Sequence, residues 1–138
     1  MRVAEPHHSG LAAAVEYHVV NSLGWQGLRP LQRAGVAPVR SGDDCVLVAP
    51  TAGGKTEAAF FPLLSEMDEK HWTGLSVLYL APLRALLNNL HPRLESYTAW
   101  LGRTAALWHG DVGDSERRRI LAERPDVLLT TPESLEAM

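Results

Sequence analysis

At 138 residues, 46% apolar and 21% charged, the chain has the size and composition of one folded domain and lies far from the signature of disorder. A formal net charge of −3 excludes a global pull on nucleic acid, so any phosphate binding has to come from locally placed basic groups. One cysteine, Cys45, excludes a disulfide framework or thiolate metal site, and no apolar stretch reaches the roughly 18 residues of a membrane span.

Residues 1–10 lack the order of a signal peptide, so a soluble, cytoplasmic setting is expected. The six histidines show no zinc spacing, and no structural metal is expected. Apolar residues at helical spacing predict a first helix over residues 11–22, with Ser9 as its cap and Gly24 as its stop. A second helix begins at Pro30, where proline suits the first turn, and Pro38 limits its regularity beyond Gly35. Apolar runs at 45–49, 75–81, 104–108 and 126–130 read as strands buried on both faces, alternating with helical segments near 55–69, 83–101 and 114–124. Such alternation predicts an α/β fold with a parallel sheet and helices on both faces, binding ligands at the carboxyl ends of its strands. Pro62 and Pro92 should kink or shorten their helices. The chain stops inside a helix start at residues 132–138, as a piece of a longer protein would.

The strongest local signal is Ala49-Pro50-Thr51-Ala52-Gly53-Gly54-Lys55-Thr56, between a predicted strand and a predicted helix. This is the setting of a phosphate loop. Gly53 and Gly54 let successive N–H groups turn inward, and the new helix adds the positive end of its dipole. Thr51 and Ala52 complete the cradle. Lys55 is expected on the β- and γ-phosphates of ATP or GTP and Thr56 on Mg²⁺, the two catalytic candidates.

The variant Ala-Pro-Thr-x-x-Gly-Lys-Thr resembles motif I of superfamily 2 helicases, in particular the Ski2-like and large helicase-related (Lhr-like) groups. Leu28-Arg29-Pro30-Leu31-Gln32 resembles their Q motif, and Gln32 precedes Lys55 by 23 residues. The resemblance gives Gln32 the adenine edge, and a glutamine pairs with adenine in a bidentate contact that guanine cannot match, which favours ATP. Trp25 either stacks on the base or belongs to the core. Ala81-Pro82-Leu83-Arg84-Ala85-Leu86 resembles motif Ia, which implies Arg84 as a ligand of the nucleic-acid backbone. Trp108-His109-Gly110-Asp111 resembles the glycine-bearing motif between Ia and Ib. Leu128-Leu129-Thr130-Thr131-Pro132-Glu133-Ser134 resembles motif Ib, implying that Thr131, with Pro132 and Glu133 at the following helix start, meets a phosphate.

The resemblance implies a RecA-like lobe at 25–138, preceded by an extension at 1–24, binding ATP·Mg²⁺ and single-stranded DNA or RNA beside a second RecA-like lobe of the full protein. Motif II is not among these residues: Asp68-Glu69-Lys70-His71 has its letters but follows Lys55 too closely and has no strand before it. The fragment alone is therefore expected not to hydrolyse ATP. Arg117-Arg118-Arg119, beside Asp114, Glu116 and Glu123, reads as a solvated face. Two rival readings are another P-loop NTPase, such as a small-molecule kinase or transporter ATPase, and a non-catalytic nucleic-acid-binding module. Neither kinase nor transporter has a use for Gln32, Arg84 and Thr131 together.

Overall fold

The computed structural model describes residues 9–50 and 53–138. The chain divides into two compact units, the first ending at His71 and the second running Trp72–Met138.

The first unit is helical. It holds α1 (Ala13–Asn21), α2 (Pro30–Arg40) and α3 (Lys55–Glu69). Helix α1 starts two residues later than its apolar spacing suggests and has no side-chain cap. Ser9 instead accepts from Leu11 N–H, and the α1 entry is tied to α3 by the buried Ser65 hydroxyl, which accepts from Ala12 N–H at 2.9 Å. Helix α2 runs through Pro38 to Arg40, because a proline late in a helix forfeits one ladder bond that packing can outweigh. Gly35 lets α2 approach α3 closely, since a methyl there would lie 3.1 Å from the Ala58 carbonyl. Phe60, Phe61, Leu64 and Met67 from α3 meet Val15, Val19 and Val36 in the core. Each such side chain contributes about 1.5–3 kcal/mol of burial. At the far end of α3, Arg40 Nε donates to Glu66 at 2.9 Å and Lys70 Nζ lies 2.6 Å from its other oxygen, while Glu69 also pairs with Arg40.

Residues 45–49 correct one sequence expectation. They form no strand, and Val46 and Val48 are 87% and 82% exposed. A strand exists only through the hydrogen bonds of a neighbour, and among the described residues no segment pairs with this run. Apolarity alone could not reveal that.

The second unit holds β1 (Val77–Leu80), α4 (Arg84–Ala99), β2 (Ala105–Trp108), α5 (Asp114–Glu123), β3 (Val127–Thr130) and α6 (Pro132–Ala137). Its sheet is parallel, in the order β1-β3-β2, with Val77 and Ala105 both opposite Val127. The expected parallel α/β arrangement is thus present. As the central strand, β3 is buried at every position, which is why its sequence is apolar without alternation. Leu87, Leu90, Leu94 and Tyr97 of α4 supply much of the remaining core. Pro62 and Pro92 shorten neither helix: α3 has 15 residues and α4 has 16. Arg103 ties the strand starts together, donating to Asp126 at 3.0 Å and to the Trp72 carbonyl.

Candidate functional site

In the first unit the chain enters α3 through Gly54, whose φ of 77° and ψ of 30° are left-handed. An L side chain is strained there. Gly53 N–H donates to the Pro50 carbonyl at 3.0 Å, and a methyl on Gly53 would lie 2.9 Å from both Ala49 Cβ and that carbonyl oxygen. Both glycines therefore sit where nothing larger fits. Thr51 and Ala52 lie outside the described residues. Lys55 is exposed at the first position of α3, its Nζ donating to the Ala49 carbonyl at 3.1 Å, and Thr56 follows half-buried.

Gln32 is 1% exposed and reaches this loop. Its Oε1 accepts from Arg29 N–H at 2.9 Å, capping the start of α2 from the third residue of that helix, and its Nε2 donates to the Gly54 carbonyl at 3.4 Å. A methyl on Gly54 would run into Gln32 Nε2. An amide has two N–H groups and two oxygen lone pairs, so among the described residues these bonds leave one donor and one acceptor unspent. Trp25 goes elsewhere: half-buried, its ring packs 5.7 Å from that of Phe61 at 57°. The structure thus brings Gln32, Gly53, Gly54 and Lys55 together and puts Trp25 against the core.

In the second unit Arg84 is the first residue of α4, and its Nη1 donates to Asp111 Oδ1 at 2.8 Å. A basic group at a helix start opposes the dipole, and Asp111 offsets that cost. The resemblance of Trp108-His109-Gly110-Asp111 to the motif between Ia and Ib assigned no separate role to His109, Gly110 or Asp111. Asn88 was missed altogether. His109 is buried, with its Nε2 2.8 Å from Asn88 Oδ1.

Thr131 stands differently from its expected role. It is 3% exposed, and its hydroxyl accepts from Ser134 N–H at 3.2 Å and donates to Ser134 Oγ, capping α6. Pro132 and Glu133 are exposed beside it. A phosphate there would compete with the cap and meet the Glu133 carboxylate. The arginine run divides: Arg118 and Arg119 are exposed, Arg119 pairing with Glu116, whereas Arg117 turns inward, 5.5 Å from the Trp108 ring centre and donating to the His109 carbonyl at 3.3 Å. Asp68, Glu69, Lys70 and His71 lie at the end of α3 with no strand before them, and Glu69 and Lys70 are spent on ion pairs. Among the described residues no group of three or more His, Cys, Asp or Glu side chains is placed to hold a metal, and no helix is long and apolar enough to cross a membrane.

Residues 29–138 match the family model for DEAD/DEAH box helicases. The chain is 35% identical over 124 residues to the "Lhr helicase/ probable uracil glycosylase" of Mycolicibacterium smegmatis, covering 79% of this chain but 8% of that protein. In three dimensions it is similar to the Mycobacterium smegmatis helicase Lhr bound to ssDNA and AMP-PNP, with a TM-score of 0.75 and 28% identity over 91% of this chain and 17% of that one. It is likewise similar to the RNA helicase Prp28 from Chaetomium thermophilum bound to ADP, with a TM-score of 0.79 and 28% identity over 94% of this chain and 32% of that one.

Proposed function

We propose, since the chain belongs to the DEAD/DEAH box helicase family, that it is the ATP-binding and single-strand-binding part of an ATP-dependent helicase or translocase. The observation that carries the nucleotide half is the contact between the Gln32 amide and Gly54. One side chain that can select adenine touches a loop whose two glycines hold space that any Cβ would fill. A triphosphate fits that cradle: loop N–H groups and the start of α3 take anionic oxygens, and Lys55, released from the Ala49 carbonyl, takes the β- and γ-phosphates. Bound Mg²⁺ would neutralise phosphate charge, with Thr56 as its protein ligand. Gln32 has one N–H and one lone pair left for adenine, which supports ATP over GTP.

For the strand, Arg84 supplies a guanidinium able to take a phosphate on more than one N–H. DNA and RNA share that backbone chemistry, so binding is independent of base sequence. Because the chain spans 8% of its Mycolicibacterium relative, the work of stepping along a strand belongs to a longer protein, in which a second RecA-like lobe closes over the nucleotide. Titration calorimetry with ADP and Mg²⁺ tests the nucleotide half. Lys55→Ala should weaken ADP at least about tenfold, equal to about 1.4 kcal/mol. An unchanged affinity would remove the phosphate-loop assignment.

A further inference from the structure

Two residues one turn apart on α4, Arg84 and Asn88, grip the same turn after β2. Asn88 takes the buried His109 ring at 2.8 Å, and the other ring nitrogen, Nδ1, accepts from Asp111 N–H at 3.1 Å. Arg117 fastens the turn from α5 through the His109 carbonyl. The turn is therefore held from α4 and from α5, and by a bond of its own, before Arg84 reaches it. Arg84 then contributes one N–H to Asp111 and lays its guanidinium against Gly110. The three heavy atoms nearest to a methyl built on Gly110 are all in the Arg84 head, Nη2, Cζ and Nη1.

Gly110 is not among the glycines with positive φ, so its backbone would accept alanine. A Cβ there would meet the Arg84 head, so an alanine would push that flexible guanidinium off its seat. The ion pair alone would hold Arg84 loosely, since its side chains are 52% and 67% exposed and water screens such pairs. A flat, side-chain-free seat beside the carboxylate adds the constraint of shape, and a ligand group held in place before binding loses less freedom on binding.

We infer that the His109-Gly110-Asp111 turn is a positioning element for single-strand binding, seating Arg84 so that its remaining N–H donors are presented to a backbone phosphate. This rests on the reading of Arg84 as a phosphate ligand. His109 and Asn88 hold the seat, Gly110 leaves room for the guanidinium, and Asp111 takes one donor and leaves the others. None of these four needs to touch the strand.

Gly110→Ala tests the seat without changing charge. Fluorescence anisotropy with a labelled single-stranded oligonucleotide across a salt series should be run on the parent chain, Gly110→Ala, Arg84→Ala and the double variant, with circular dichroism confirming the fold of each. Gly110→Ala should weaken binding nearly as far as Arg84→Ala and flatten the salt slope by about 0.7, the share of one phosphate contact on a single strand. In the Arg84→Ala background it should add nothing. The inference is overturned if Arg84→Ala weakens binding while Gly110→Ala leaves affinity and slope unchanged. It is equally overturned if Gly110→Ala weakens the Arg84→Ala variant by its full factor, which would mean that the turn meets the strand itself. Loss of any effect in Arg84→Ala refutes the underlying phosphate reading together with the seat, and is recognised in that arm alone.

Discussion

Gly54→Ala puts the joint between the adenine-reading segment and the phosphate loop under direct test. The left-handed backbone at Gly54 costs an alanine about 1–2 kcal/mol. The new methyl also displaces Gln32 Nε2, breaking its bond to the Gly54 carbonyl and disturbing the cap on Arg29 N–H. Losing one such hydrogen bond costs about 0.5–1.5 kcal/mol. The variant should therefore be destabilised by about 2–3 kcal/mol in urea unfolding, with ADP affinity down by tenfold or more. Gln32→Ala in the same chain removes the clash but leaves the backbone strain, so the double variant should be less unstable than the two single losses added together, by about 1 kcal/mol. Full additivity would refute the claim that Gln32 and Gly54 occupy each other's space. A Gly54→Ala chain as stable as its parent would refute the left-handed entry into α3.

Three further outcomes are expected. The Lys70 ammonium 2.6 Å away and then the hydrogen bond from Arg40 hold the Glu66 carboxyl below its usual range, so its contribution is fully present above the ordinary glutamate value of about 4.3 and is lost as pH falls below it. Denaturant unfolding on a descending pH series should show a smaller acid loss in Glu66→Gln than in the parent, and equal losses would rule the cluster out. Leu129→Ala, in the fully buried centre of β3, should cost about 2–5 kcal/mol, measured by thermal or urea unfolding; a cost below 1 kcal/mol would contradict the packing of the sheet. Arg118→Ala should change oligonucleotide affinity much less than Arg84→Ala in anisotropy, because Arg118 is exposed and, among the described residues, donates only to the Asp114 carbonyl of its own helix, at 3.4 Å. The reverse order would place the strand on α5.

Contiguous residues determined what contiguous chemistry can determine. The Gly53-Gly54-Lys55-Thr56 run announced a phosphate loop because its backbone freedom, its cation and its helix start are neighbours in the chain. The run at 126–130 announced a strand because burial on both faces demands apolar residues throughout. Pro30 likewise marked the start of α2, because its fixed φ suits the first turn of a helix. Partners distant in the chain stayed hidden. Whether 45–49 forms a strand depends on a neighbour's hydrogen bonds, and there its apolar sequence misled. Trp25 packs on Phe61, 36 residues away, because tertiary burial decides which face an aromatic ring covers. Thr131 closed on its own helix, since a hydroxyl three residues from an orphan N–H finds that donor first. The seat of Arg84 lies 27 residues ahead at Asp111. Only the crossover that brings the end of β2 beside the start of α4 could join a guanidinium, a missing side chain and a carboxylate into one device, because proximity of that kind is set by the packing of the sheet and not by spacing along the chain.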